Sequence, residues 1–248
     1  LSDHRIVTRE EWLEERRKHL EHEKDLTRMQ EALATERRGL PWVKIDKPYT
    51  FDGPDGRETL AQLFAGKRQL IVNHFMFGPG WGEGCVGCSF GADHVDAALP
   101  HLLQRDVNYV AVSRAPLAEI EPFRKRMGWR FKWVSSYGSD FNYDFGVSFS
   151  EAQLASGKVF YNFAEQVVPP YGRGELQGTS VFFQDDGGEV FHTYSSYARG
   201  GEAVLATYAC LDITPLGRDE NGPTRSLADW VKHHDKYTMT PAAKPGCH

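Results

Sequence analysis

An α/β fold, with a central sheet flanked by helices, is predicted for these 248 residues by three observations. Two apolar runs, Gln69-Leu70-Ile71-Val72-Asn73-His74-Phe75-Met76-Phe77 and Val107-Asn108-Tyr109-Val110-Ala111-Val112-Ser113, enclose a helix-like segment reaching about residue 104. A strand–helix–strand unit of that length implies parallel neighbours and a right-handed crossover. Two later runs, Thr179-Ser180-Val181-Phe182-Phe183 and Glu189-Val190-Phe191-His192-Thr193-Tyr194, flank Asp185-Asp186-Gly187-Gly188 and read as a hairpin. Apolar residues make up 40% of the chain, enough for one substantial core.

In chain order, residues 8–38 read as one long helix. Thr8-x-x-Glu11 has the form of a capping box, and Arg37-Arg38-Gly39 with Pro41 just beyond supplies a basic end and a stop. Its apolar residues, Trp12, Leu13, Leu20, Leu26, Met29 and Leu33, make a stripe too thin for a core helix. The helix is expected to lie along the domain surface or against a second copy, as a homodimer contact. Tyr49-Thr50-Phe51 reads as a strand, Gly53-Pro54-Asp55-Gly56 as a turn and residues 59–64 as a short helix. A helix over 117–127 and a strand over 131–135 follow the second apolar run. Residues 137–177, rich in Gly, Ser, Asn and aromatics, read mostly as loop. A last helix is expected over 202–211, and beyond Pro215 a polar tail anchored by Trp230. The expected organisation is an extension over 1–40, a principal domain over 41–214 and a peripheral tail over 215–248.

A formal charge of −5 and a pI near 6.1 give no electrostatic reason to expect nucleic acid or an anionic membrane as partner. No apolar run approaches the ~18 to 20 residues of a membrane span, and the charged N-terminal stretch lacks a secretory signal's apolar segment. Four cysteines are too few for a disulfide scaffold at this length, so a cytoplasmic location is expected.

The chemistry concentrates in Gly84-Cys85-Val86-Gly87-Cys88-Ser89, between a strand and a helix. Positions i and i+3 at a helix start lie about 5 to 6 Å apart, within the reach of a disulfide. Unpaired N–H groups and the positive dipole end favour a thiolate at Cys85, making it the attacking sulfur, with Cys88 resolving. A Cys-x-x-Cys pair can also be half a zinc site or two inert thiols. Cys210 and Cys247 stand alone and far away, and His233-His234 falls in the tail, so no metal is expected. Glu83 would oppose the thiolate by like charge or relay its proton. Trp81 would form an apolar lid on Cys85. Gly82-x-Gly84-x-x-Gly87, with Asp106 about twenty residues on, formally matches a dinucleotide fingerprint. Its glycines do not follow the strand directly, however, and Asp106 precedes the next strand rather than ending it, so no cofactor is expected.

A strand–helix–strand unit with Cys-x-x-Cys at its first helix, a later hairpin and a closing helix resembles the thioredoxin-like fold, and Trp81-Gly82-Glu83-Gly84-Cys85-Val86-Gly87-Cys88 looks like its active-site stretch. Phe75-Met76-Phe77-Gly78-Pro79, Val112-Ser113-Arg114-Ala115-Pro116 and Tyr194-Ser195-Ser196-Tyr197-Ala198-Arg199-Gly200 are similar to the bacterial family DUF899, described as thioredoxin-like predicted dithiol-disulfide oxidoreductases. The resemblance implies thiol–disulfide exchange on a protein or small-molecule thiol or disulfide. The other readings are a non-catalytic scaffold or partner-binding module and a peroxiredoxin-like peroxide reductase. Against peroxide, Gly82 and Gly78 stand where that family's threonine and proline would be, and Arg173 falls in a Gly-rich loop. Gly178, ahead of Thr179, occupies about the place of the thioredoxin cis-proline, and a trans Gly178–Thr179 bond is expected.

Overall fold

The computed structural model describes residues 4–169, 171 and 173–238. The chain divides into two compact units, Leu1–Trp42 and Val43–His248. The first unit is dominated by α1 (Arg9–Arg38), whose N-terminus is closed by the expected reciprocal Thr8/Glu11 capping box. None of its 30 residues is buried.

The second unit is built on an eight-stranded sheet. Its strands are β1 (Val43–Lys44), β2 (Thr50–Gly53), β3 (Gly56–Thr59), β4 (Gln69–His74), β5 (Val107–Ser113), β6 (Lys132–Ser135), β9 (Gly178–Gln184) and β10 (Val190–Tyr197), in the order β1-β10-β9-β4-β5-β6-β2-β3. β4, β5 and β6 run parallel, whereas β9 is antiparallel to β4 and β10 antiparallel to β9. The predicted strand–helix–strand unit is therefore present, with α2 (Val86–Gln104) joining β4 to β5 and α3 (Leu117–Met127) joining β5 to β6. With the late hairpin and the closing helix α6 (Ala206–Asp212), this is a thioredoxin-like α/β fold.

The parallel strands are covered on both faces, as parallel sheets require. Leu70, Val72, Val110, Val112 and Val134 point to a core shared with Phe51 and Phe141. Tyr109, Ala111 and Trp133 point the other way, into a core with Cys88 of α2 and Phe123 of α3. Among the described residues no helix is long and apolar enough to cross a membrane.

Several elements differ from expectation. Residues 59–64 are not a helix: β3 returns along β2 as far as Thr59, and only a single 3-10 turn, Gln62–Phe64, follows. The Gln62 side chain accepts from the Thr59 N–H at 2.7 Å, which satisfies the chain end without further helix. The first core strand ends at His74 rather than Phe77, because its antiparallel partner begins opposite it at Gly178. Segment 137–177 is mostly loop among its described residues, as expected, but it is not without regular elements. It holds α4 (Phe141–Asp144), α5 (Glu151–Ala155) and a hairpin of β7 (Lys158–Tyr161) with β8 (Ala164–Val167). That hairpin turns on Asn162 and Phe163, both at positive φ (52° and 64°), a primed turn formed without the usual glycine. The expected helix over 202–211 is split. A 3-10 stretch, Ala198–Val204, precedes α6, with Leu205 non-helical between them.

Val231 and His233 are buried, and the Trp230 ring packs edge-on to Phe90 of α2 at 5.6 Å.

Candidate active site

After β4 the chain runs through Phe75-Met76-Phe77 into a glycine loop and returns so that the Cys85 N–H donates to the Met76 carbonyl at 3.0 Å. The return is tight. A Cβ on Gly84 would lie 2.6 Å from the Phe75 ring and 2.8 Å from that of Phe123, so only glycine lets the backbone press onto this aromatic core. The Ala115 N–H donates to the Phe77 carbonyl at 2.8 Å and ties the loop to the end of β5.

Cys85 is the N-cap residue of α2 (φ −54°, ψ 134°), and Cys88 lies in the first turn. Cys85 is half-buried and Cys88 buried, and both are free thiols. The Cys88 thiol, and the Cys88 and Gly87 N–H groups at the start of α2, would stabilise an anion on the Cys85 sulfur. The Cys88 thiol is the largest influence, and together they outweigh burial and bring Cys85 down to about 7. Cys88 is pushed well up, first by that same hydrogen bond and then by burial. The Met76 N–H also points at the Cys88 sulfur, 3.4 Å away. The arrangement separates two like thiols into one that ionises near neutrality and one that holds its proton.

Glu83 is not a free carboxylate beside the thiol. It pairs with Lys236 at 2.7 Å and with Arg126, and these cations, Lys236 foremost, hold it down at about 2. Its charge is compensated on the surface, which leaves little for a proton relay.

Trp81 packs in the same apolar cluster as Cys85 and lies across Gly78. The Arg173 guanidinium sits over its ring, 5.9 Å from the centroid, so a residue of the 137–177 segment reaches the loop before Cys85. Gly178 pairs with His74 and Tyr197. The atoms nearest to a Cβ there belong to Tyr197, at 2.7 Å, and to Val147, rather than to either cysteine. Thr179 pairs with Asn73, and no cis peptide bond occurs among the described residues, so Gly178–Thr179 is trans. Asp106 accepts from the Arg68 N–H at 3.2 Å, at the opposite end of β5 from Cys85. Gly82, Gly84 and Asp106 therefore do not converge on a dinucleotide.

His74 belongs to a different network, on the far face of β4. Its Nε2 lies 2.8 Å from Ser180 Oγ, which continues through Ser195 to His192. Burial, then His192, brings His74 down to about 3, a neutral structural group. His94 spans α2 and α6 by bonding the Phe90 carbonyl and Thr207. Among the described residues no three His, Cys, Asp or Glu side chains gather as a metal site, and Cys247 lies outside those residues.

The sequence reading did not anticipate the surroundings of Glu83. Arg126 comes from the end of α3 and Lys236 and His233 from the tail, with His233 Nε2 2.9 Å from the Gly84 carbonyl. The adjacent His233-His234, two residues after Val231, was the only local hint.

Compared with known proteins, the chain matches residues 1–237 to the profile of a family described as a bacterial protein of unknown function, DUF899. No curated protein matches it. Solved structures similar in fold include a mutant of peroxiredoxin Q from Xanthomonas campestris, 18% identical, covering 66% of this chain and 91% of that one at a TM-score of 0.42. Peroxidoxin BcpB from Mycobacterium tuberculosis is 12% identical, with 69% and 97% covered and a TM-score of 0.44. A putative protein disulfide isomerase from Bacteroides thetaiotaomicron is 17% identical, with 69% and 91% covered and a TM-score of 0.39.

Proposed function

We propose, for a chain that belongs to the DUF899 family, the activity of a dithiol–disulfide oxidoreductase. The Cys85 thiolate attacks one sulfur of a disulfide, forming a mixed disulfide and releasing the other sulfur as a thiolate that takes a proton from water. Cys88 then loses its proton and attacks the Cys85 sulfur, closing the Cys85–Cys88 disulfide and releasing the second substrate thiol. A dithiol of lower potential returns the pair to the reduced state.

The observation that carries this reading is the opposed setting of the two thiols at the start of α2, with Cys85 lowered to about 7 and Cys88 raised. Two inert buried thiols would both be raised by desolvation. Trp81 supplies the apolar wall of the approach, and Gly178 with Thr179 anchors the end of β4. Four cysteines in 248 residues suit a reducing compartment, the cytoplasm.

The test is a trap. With Cys88→Ser, and Cys210 and Cys247 also replaced by serine, incubation with oxidised glutathione should leave a stable mixed disulfide on Cys85. With both active thiols present, only the internal Cys85–Cys88 disulfide should accumulate. A glutathione adduct persisting in the presence of Cys88 would contradict the resolving role.

The homodimer contact through α1 is part of the same proposal. Trp12, Leu26 and Leu33 keep multiples of seven residues and are 45, 55 and 54% exposed, the period of a helix–helix seam. Deleting residues 1–38 should turn a dimer into a monomer by light scattering. A truncated chain that still has the mass of a dimer would remove the contact.

A further inference from the structure

The sequence predicts a peripheral tail, yet residues 226–237 lie across the start of α2. One flank of Gly87 is shared by two groups. A Cβ placed there would lie 3.2 Å from Leu227 Cδ1 and 3.9 Å from Cys85 Sγ. Val86, the other residue between the cysteines, packs in one apolar cluster with Leu227, Trp230 and Val231. On the other side of Cys85, His233 is only 2% exposed. It stacks edge-on to Phe123 at 5.3 Å and donates from Nε2 to the Gly84 carbonyl, which can only accept. Lys236 then closes on Glu83 at 2.7 Å, and Arg126 bridges Glu83 to Asp235, 3.0 Å away. The segment therefore contacts residues 83, 84, 86 and 87, every neighbour of Cys85 within two positions.

We propose that residues 226–237 are a strap, latched by the Lys236–Glu83–Arg126–Asp235 cluster, that restricts Cys85 to small-molecule thiols and disulfides. The claim rests on the oxidoreductase reading, because it names the substrate class of that site. Exchange needs the thiolate to reach a disulfide sulfur, and access governs its rate. Cys85 is half-buried with the strap in place, and a short disulfide needs far less clearance to meet its sulfur than a folded protein does. A disulfide held in a folded protein brings backbone on both sides of its sulfurs and must rest on the surface that Leu227 and His233 occupy. The latch is made of ion pairs that meet solvent, and the strap packs on α2 and α6 rather than within the sheet, so it can open without the sheet unfolding.

The experiment compares two reagents of one chemistry on the full chain with Cys210 and Cys247 replaced by serine. The Cys85 thiolate adds to the double bond of a maleimide, and the neighbouring carbon takes a proton from water. N-ethylmaleimide reports sulfur reactivity, and a maleimide carrying a several-kilodalton polyethylene glycol chain reports access. Lys236→Glu, which sets a like charge against Glu83, and Leu227→Ala, which changes no charge, should each raise the large-to-small rate ratio roughly tenfold. Both should also speed dithiothreitol-coupled reduction of insulin relative to oxidised glutathione. An unchanged ratio in variants whose circular dichroism shows them folded would overturn the strap. Alkylation that behaves as expected, with neither disulfide reduced, would instead overturn the oxidoreductase reading and leave the strap standing.

Discussion

Arg114→Leu should destabilise the protein by about 3–5 kcal/mol, the cost of breaking a buried ion pair from one side. Arg114 lies just past the end of β5, and its Nη2 meets Glu175 Oε1 at 2.5 Å, where the glutamate side chain is 3% exposed. Ser148 Oγ donates to the other carboxylate oxygen at 2.6 Å. Even with these partners, burial keeps the Glu175 pKa above its ordinary value. Without Arg114 a carboxylate would stay buried with one hydroxyl for company. A folded-state pKa above the unfolded one means that the folded protein binds the extra proton. Stability therefore falls as pH rises from the unfolded value, ~4.3, through the folded one. Urea denaturation should show a smaller deficit for Arg114→Leu at pH 5 than at pH 8, and adding Glu175→Gln should recover much of the loss. A deficit below about 1 kcal/mol at pH 8 would show that the pair is not holding this corner. The corner matters because Ala115, next to Arg114, bonds the Phe77 carbonyl at the root of the cysteine loop.

A second large effect concerns the coupling of the two thiols. Cys88→Ala removes the thiol that does most to stabilise the Cys85 anion and leaves the N–H groups of positions 87 and 88 in place, with burial still opposing them. The Cys85 midpoint should climb from about 7 toward the free-thiol value of ~8.5. At pH 7 half of the wild-type sulfur is thiolate, against about 3% at the free-thiol value, so alkylation in the variant should slow by up to about fifteenfold. A midpoint that stays near 7 would transfer the effect to the helix terminus alone.

Much of this fold was legible because its elements carry their own signals. The β5 run of alternating core residues and the α3 pattern with its basic last turn appear where periodicity puts them. The Thr8/Glu11 box likewise marks the start of α1. The β7–β8 hairpin escaped because Asn162-Phe163 supplies the primed turn that Asn-Gly usually signals, and a phenylalanine at positive φ carries no such cue. The cysteine pair could be read from two residues and a strand. Its setting could not, since Arg126, His233 and Lys236 reach Glu83 from 43 to 153 positions away. Their convergence is a product of packing, to which local pattern is blind. Glu83 itself shows the difference. Two residues from Cys85 in sequence, it reads as an electrostatic opponent, whereas in the fold its charge is already answered by two cations.

The most direct measurement is the rate of iodoacetamide alkylation of Cys85 against pH, in the full chain with Cys210 and Cys247 replaced by serine and Cys88 retained. Mass mapping would assign the adduct. A single rise with a midpoint about 7 is expected on Cys85, with Cys88 unmodified until well above pH 9. A Cys85 midpoint at or above the ordinary thiol value, or Cys88 reacting first, would contradict it and leave the pair as two structural thiols.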